Sequence, residues 1–182
     1  MALNVYGEST RSQAGYGAII TTNPDPPINL AEDYSLRTPT TLGLVWEPAA
    51  FTGGTVIIDY RISIAVQGET FSELATGLTS AQYTVIGLTS GVTYEFKVES
   101  RNSYDYSVYS DTLALLAAFK PEAPAAPMTY IVNDLCFIEW DEPITNGWPI
   151  TGYKIYIREH GSTTFTQESV ECDGTSTDVI NN

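Results

Sequence analysis

Basic residues are scarce in this sequence. Its 182 residues include 8 Lys and Arg against 22 Asp and Glu, which gives a formal net charge of −14. A chain with this charge is repelled by phosphate backbones and by anionic lipid surfaces. No apolar run approaches the roughly 20 residues that a membrane-spanning helix needs. We therefore expect no nucleic-acid partner and no membrane insertion in this segment.

Residues that carry chemistry are scarce as well. His160 is the only histidine, so no second imidazole can help it bind a metal or complete a catalytic triad. The acidic residues at Asp141-Glu142 and Glu171-Cys172-Asp173 lack the alternating oxygen-ligand spacing of a calcium-binding loop. Phosphate-binding glycine loops and nucleophile elbows are absent from the sequence. We therefore predict a protein that is not an enzyme and that has no catalytic, cofactor-binding or metal-binding residues.

Only two cysteines occur, and their surroundings differ. Cys136 alternates with Ile138 and Trp140 in a strand-like pattern, which predicts a buried free thiol that packs as a small hydrophobic side chain. Cys172 lies in the turn-like sequence Glu171-Cys172-Asp173-Gly174. A bridge between Cys136 and Cys172 is the alternative, and it would require a close approach of the two α-carbons.

The sequence does contain a series of alternating apolar segments. Tyr94, Phe96 and Val98 are apolar, and the residues between them are charged. This alternation predicts a half-buried antiparallel strand. Leu88 and Gly91 frame a tight corner just upstream, so Tyr94 is placed where a buried ring returns its hydroxyl to the backbone of the preceding turn.

Further strand patterns surround this one. Thr40 to Trp46 and Ile58 to Ile64 alternate in the same way, and Trp46 and Tyr60 are predicted to be core residues. Additional strands are predicted near 28–33, 71–75, 81–87 and 111–119, and no segment has a helical periodicity. These strands predict one complete all-β sandwich over residues 24–119.

Two proline-rich segments divide the chain, at residues 23–27 and 120–127. Their prolines cannot donate to a sheet ladder, and they stiffen the backbone in an extended form. Beyond the second segment the pattern begins again, since Trp140 and Tyr153 repeat the two predicted core aromatics at similar spacing. Residues 121–182 are therefore predicted to be the N-terminal part of a further sandwich.

The first residues repeat a part of the complete sandwich. Asn4 to Ser12 align with Asn102 to Ser110, and Asn, Tyr and two Ser occupy the same positions in both. Residues 1–22 are therefore predicted to be the C-terminal end of a preceding module, with Ala14 to Thr22 as its last strand. Because the chain opens inside one module and stops inside another, we expect the natural polypeptide to continue past both ends.

The pattern Gly-Leu-x-x-Gly-x-x-Tyr-x-Phe-x-Val-x-x-x-Asn, which begins at Gly87, resembles fibronectin type III modules. Asn4 to Ser12 and Asn146 to Ile157 are similar to repeats in very long arrays of such modules, especially those of single-celled eukaryotes such as ciliates. The resemblance implies tandem β-sandwiches, one complete and two partial, and this fold serves adhesion, receptor and scaffold roles alike. It also implies that Cys172 pairs with a cysteine beyond Asn182. The integrin-type Arg-Gly-Asp tripeptide is missing, so that adhesive function is not implied.

The loop between the last two strands of the complete sandwich, here called the F–G loop (residues 102–110), is rich in tyrosine. Tyr104, Asp105, Tyr106 and Tyr109 form a candidate contact loop, because loops at the end of a sandwich are common binding surfaces and Tyr gives amphipathic contact area. The loop would contact a neighbouring module, a protein or a glycan. Packing of the loop on its own sandwich is the alternative, since exposed aromatics mark an interface only as a contiguous patch.

The expected function follows from this absence of chemistry. We expect a structural or interaction segment of a long extracellular or cell-surface array that builds a fibre or coat and contacts neighbouring copies of the same protein. Charged residues make up only 16% of the chain, below the roughly 25% of typical soluble domains, so uncharged polar residues must supply much of the surface, as in secreted proteins. The alternative is a ligand-binding module of a receptor or adhesin that uses the candidate contact loop.

Overall fold

The computed structural model of this chain describes residues 1–15, 17–18 and 20–168. The prediction for Cys172 lies outside these residues. The described residues contain strands and no helix. In chain order the strands are β1 (Leu3–Asn4), β2 (Gly7–Glu8), β3 (Ile28–Thr38), β4 (Thr41–Glu47), β5 (Asp59–Val66), β6 (Ser72–Leu78), β7 (Gln82–Val85), β8 (Thr93–Arg101), β9 (Leu113–Leu116), β10 (Met128–Val132), β11 (Leu135–Glu139), β12 (Ile155–Ile157) and β13 (Thr166–Glu168).

Strands β3 to β9 form two antiparallel sheets. One has three strands in the order β3-β4-β7, and the other has four strands in the order β6-β5-β8-β9. Each strand of this region overlaps a segment predicted to be a strand. The predicted all-β sandwich is confirmed.

The two sheets enclose one hydrophobic core, because apolar residues at every second position of a strand all point to the same face. Trp46 on β4 is 4% exposed and packs edge-on against Tyr60 on β5, with the ring centroids 5.5 Å apart. The other buried members of the core are Leu42, Leu44, Ile62, Val85, Leu88, Phe96, Val98 and Ala117.

The N-terminal residues form a small antiparallel hairpin of β1 and β2. The last strand of a preceding module, predicted over residues 14–22, is not present in the described residues of that range, so this prediction is wrong for them. A strand requires a hydrogen-bonded neighbour. The N–H of Thr22 donates instead to the carbonyl of Gly53 in the sandwich, at 3.0 Å.

Residues 128–168 contain two separate hairpins, β10–β11 and β12–β13. Trp140 and Tyr153 pack edge-on with centroids 5.1 Å apart, which repeats the contact of the aromatic pair in the complete sandwich. Cys136 was predicted to be buried, but it is exposed. It lines an open groove of about 660 Å³ together with Trp140 and Tyr153. The prediction is wrong because two-stranded hairpins bury little surface. Ile155 and Ile157 of β12 line the same groove, but Cys136 stays exposed beside them.

Candidate functional site: the F–G loop and the module junctions

The corner before β8, here called the E–F corner (residues 88–91), is held by two predicted structural residues. Leu88 is 8% exposed and belongs to the core. The hydroxyl of Tyr94 accepts a hydrogen bond from the N–H of Thr89 at 3.0 Å. The N–H of Gly91 donates to the carbonyl of Ala117 at 2.8 Å. The corner is therefore fixed both to β8 and to the segment that follows β9.

Asn102 connects three segments at the end of the sandwich, and it is only 3% exposed. Its Nδ2 donates to the carbonyls of Thr22 and Thr52, at 2.7 and 2.9 Å. Its Oδ1 accepts from the N–H groups of Tyr104 and Asp105, at 2.8 and 3.1 Å. The four bonds satisfy the buried amide. They join the residue before the first proline-rich segment, the connection between β4 and β5, and the F–G loop.

Tyr106 packs on its own sandwich. Its ring centroid lies 3.9 Å from the guanidinium carbon of Arg61 and 5.3 Å from that of Arg101. Its hydroxyl lies 3.2 Å from Thr76 Oγ1, within hydrogen-bonding distance. Cation–π contacts of this kind are worth about 0.5–1 kcal/mol at exposed sites. For Tyr106, the structure therefore agrees with the alternative that the loop packs on its own sandwich.

The two arginines beside Tyr106 are already paired with acidic residues. Nε of Arg61 donates to Glu99 at 2.7 Å, and Nε of Arg101 donates to Asp59 at 2.9 Å. Both carboxylate residues are 5% exposed. The hydrogen bonds to these carboxylates raise the pKa of both guanidinium groups, so the arginines stay charged. This sheet face therefore does not present the two cations as a free anion-binding site.

Other members of the candidate contact loop face solvent. Tyr104 is 62% exposed and Tyr109 is 48% exposed, and Val108 between them is 73% exposed. Asp105 is exposed, and its carboxylate accepts a hydrogen bond from the N–H of Tyr106 at 2.7 Å. The structure therefore divides the predicted contact loop into one inward tyrosine and three outward residues.

The N-terminal hairpin repeats the local structure of the F–G loop. In both, an Asn side-chain oxygen accepts a hydrogen bond from the backbone N–H two residues later. A Ser exchanges two bonds with the residue seven positions before it: its N–H donates to that residue's carbonyl, and its hydroxyl accepts from that residue's N–H. Two residues five positions apart also pair as in an antiparallel sheet. The aligned pairs are Asn4–Tyr6 with Asn102–Tyr104, Ala2–Ser9 with Ser100–Ser107, and Leu3–Glu8 with Arg101–Tyr106. The alignment of the two segments in sequence therefore has a counterpart in hydrogen bonds.

The two proline-rich segments and the residues just before them make matching contacts with a turn between the second and third strands that follow. This turn, called the B–C turn, comprises residues 51–54 in the complete sandwich and 144–147 in the next region. In both places, the N–H two residues before the first proline and the N–H just after it donate to turn carbonyls. The bonds are Thr22 to Gly53 at 3.0 Å, Asp25 to Phe51 at 3.1 Å, Phe119 to Asn146 at 2.9 Å and Glu122 to Ile144 at 2.9 Å.

Sequence reasoning missed the contacts made by Asn102 and by the B–C turns. The signal for the turns was present, since Gly-Gly and Asn-Gly favour two successive residues with positive φ. Gly53 and Gly54 have φ of 74° and 82°, and Asn146 and Gly147 have φ of 54° and 94°. No local pattern indicates that such a turn also contacts the segment before the sandwich.

The comparisons with known proteins agree with this architecture. The family model of the fibronectin type III domain matches residues 31–113. The chain contains a fibronectin type III domain. It is 32% identical over 123 residues to the Kelch domain-containing protein SSO1033 of Saccharolobus solfataricus, covering 67% of this chain and 16% of that protein. It is 28% identical over 178 residues to titin of Drosophila melanogaster (92% of this chain, 1% of titin) and 30% identical over 167 residues to protein sidekick-1 of Mus musculus (86% and 7%).

The chain therefore spans 16% or less of the length of these three relatives. As a fibronectin type III domain, residues 31–113 are a general structural or interaction module. Within the part of the chain that the structure describes, no group of three or more His, Cys, Asp and Glu is placed to hold a metal ion. In the same part, no helix is long and apolar enough to span a membrane. His160 lies exposed in the connection between β12 and β13.

Proposed function

We propose that this chain is a non-enzymatic segment of a longer fibronectin type III array that lies outside the cell or on its surface and builds a fibre or coat. Residues 1–22 are the end of one module, 24–119 are a complete module, and 121–182 begin the next. The segment spaces its modules at a fixed orientation and presents their sides to neighbouring copies of the same protein.

The recurrence of the F–G hydrogen bonds carries this proposal. Residues 2–9 make the same bonds as residues 100–107 although residues 2–9 precede the complete module and residues 100–107 lie within it. An unrelated leader segment has no physical reason to reproduce an Asn side-chain bond, a Ser backbone bond and a cross-loop pair together. The proposal is also supported by the similarity to titin, which extends over 92% of the chain and thus well beyond one module.

A ligand-binding module of a receptor or adhesin is the second candidate function. It is favoured by the exposed side chains of Tyr104, Val108 and Tyr109 in the F–G loop. Aromatic side chains of this kind often anchor a protein or glycan partner because they bury much area at a low entropic cost.

Binding measurements on the purified chain separate the two functions. We would titrate it against a panel of glycans and extracellular proteins, and measure its self-association by sedimentation over a range of concentrations. The spacer function predicts self-association and no saturable ligand. Saturable binding that is lost in Tyr104→Ala and Tyr109→Ala, but kept in Tyr34→Ala, would overturn it in favour of the receptor function. Tyr34 is the matched control because it is 72% exposed on β3 of the other sheet.

A further inference from the structure

The last residue of each B–C turn is a glycine, Gly54 or Gly147, that lies against the carbonyl of a residue that precedes the proline-rich segment. A Cβ at Gly54 would lie 2.8 Å from the carbonyl oxygen of Ile20, and a Cβ at Gly147 would lie 2.9 Å from that of Ala117. Cβ atoms in real proteins essentially never approach another heavy atom within 3.0 Å. Ile20 and Ala117 each stand four residues before the first proline of their segments, so the two contacts are equivalent.

At the second junction the structure describes both sides of the contact. A Cβ at Gly147 would also lie 2.5 Å from Ser90 Oγ and 2.7 Å from the N of Gly91. These two residues belong to the E–F corner of the complete module. The turn of the following region therefore lies on a surface made by the E–F corner and Ala117, with no room for a side chain between them.

Hydrogen bonds within the complete module hold this surface in place. The Tyr94 hydroxyl holds the corner through Thr89, as described above. The carbonyl of Ala118 accepts a bond from Nη1 of Arg37 at 2.8 Å. Arg37 is itself paired with Glu32 at 2.6 Å, and the two side chains are only 16% and 4% exposed. The surface that receives the next module is thus built from groups of the preceding module alone.

We propose that the glycine at the end of the B–C turn is a docking site whose partner is the preceding module, through its E–F corner and the residues after its last strand. Gly147 docks on Ser90, Gly91 and Ala117, and Gly54 receives the carbonyl of Ile20. Each module thereby sets the orientation of the module before it. This inference rests on the proposed function, because it takes residues 1–22 as the end of a module.

The test measures the distance between the two modules in the full chain. A spin label on the native Cys136 of β11 and a second on Glu69→Cys, in the exposed turn between β5 and β6, report this distance by pulsed electron paramagnetic resonance. Cys172→Ser removes the other thiol. The unmodified junction should give one narrow distance distribution. Gly147→Ala should replace it by a broad one.

Gly161→Ala is the matched control, because Gly161 also has a positive φ, 85° against 94° at Gly147, but has nothing within 4 Å of its Cβ position. The backbone strain of alanine is therefore similar in both variants, and only Gly147→Ala disturbs the contact. Ser90→Leu disturbs the same contact from the side of the complete module, at a residue that does not have a positive φ. It should broaden the distribution as well, and it stays informative if Gly147→Ala does not fold.

Each outcome decides the proposal. Broad distributions in Gly147→Ala and Ser90→Leu, with a narrow one in Gly161→Ala, support docking at the glycine. Distributions that stay as narrow as in the control, or that broaden equally in Gly161→Ala, overturn it. A distribution that stays narrow in every variant overturns the glycine contact without contradicting a fixed spacing of the modules. The titrations decide between the spacer function and ligand binding.

Discussion

Asn102→Ala should destabilise the complete module by about 2–3 kcal/mol, because it removes four hydrogen bonds whose net value is about 0.5–1.5 kcal/mol each. The cost falls below the upper sum since Thr22, Tyr104 and Asp105 are exposed, so water can replace the bonds that their backbone groups lose. Thr52 is only half-buried, so its carbonyl also regains some hydration.

The assay is hydrogen exchange in increasing urea, read on peptides from β8, which reports this module separately from its neighbours. Asn23→Ala is the matched control, because Asn23 is exposed and its side chain makes one bond, to the carbonyl of Tyr106. We expect a loss well under that of Asn102→Ala. A loss below about 0.5 kcal/mol for Asn102→Ala, less than one ordinary hydrogen bond, would refute the reasoning.

Asn102→Asp adds a pH dependence to the same prediction. Its second oxygen faces the carbonyls of Thr22 and Thr52, where Nδ2 donates in the native protein. A protonated carboxyl can donate there and a carboxylate cannot, so the folded state should raise the pKa of this group above the unfolded value of about 3.9. The variant should be most stable below the unfolded pKa and lose stability as the pH rises through the folded pKa.

Five further substitutions probe the core and the periphery by denaturant unfolding. Trp46→Ala should cost about 3–5 kcal/mol, the range for a large buried aromatic, and Trp46→Phe should cost less, because Nε1 has no hydrogen-bond partner in the described structure. Tyr94→Phe should cost roughly 1 kcal/mol for one hydrogen bond, and an unchanged midpoint would remove its role in the corner. Glu32→Ala should cost about 1.5–3 kcal/mol, because it leaves the mostly buried Arg37 without its carboxylate partner. Cys136→Ser should leave the midpoint unchanged, since this thiol is exposed.

Alternation was a sufficient guide to the complete sandwich. Trp46 and Tyr60 stand in segments with a period of two, and a strand with this period must bury one face whatever lies elsewhere in the chain. The E–F corner could also be predicted from a short stretch of sequence, because Tyr94 and the N–H of Thr89 that it contacts are only five residues apart. Cys136 shows where the same argument fails. Its alternation is equally clear, but burial also requires a second sheet that packs over the apolar face. The pattern of one strand does not tell whether such a sheet is there.

The sequence by itself determined the strands of the complete sandwich, its core aromatics and the repeat that aligns Asn4 to Ser12 with Asn102 to Ser110. These properties depend on side-chain periodicity and on turns of a few residues. Only the tertiary structure decided that Tyr106 packs inward, that Asn102 joins three segments, and that Gly147 meets Ala117. Such contacts join groups far apart in sequence, and their distances depend on how the two sheets twist and where each linker leaves the sandwich.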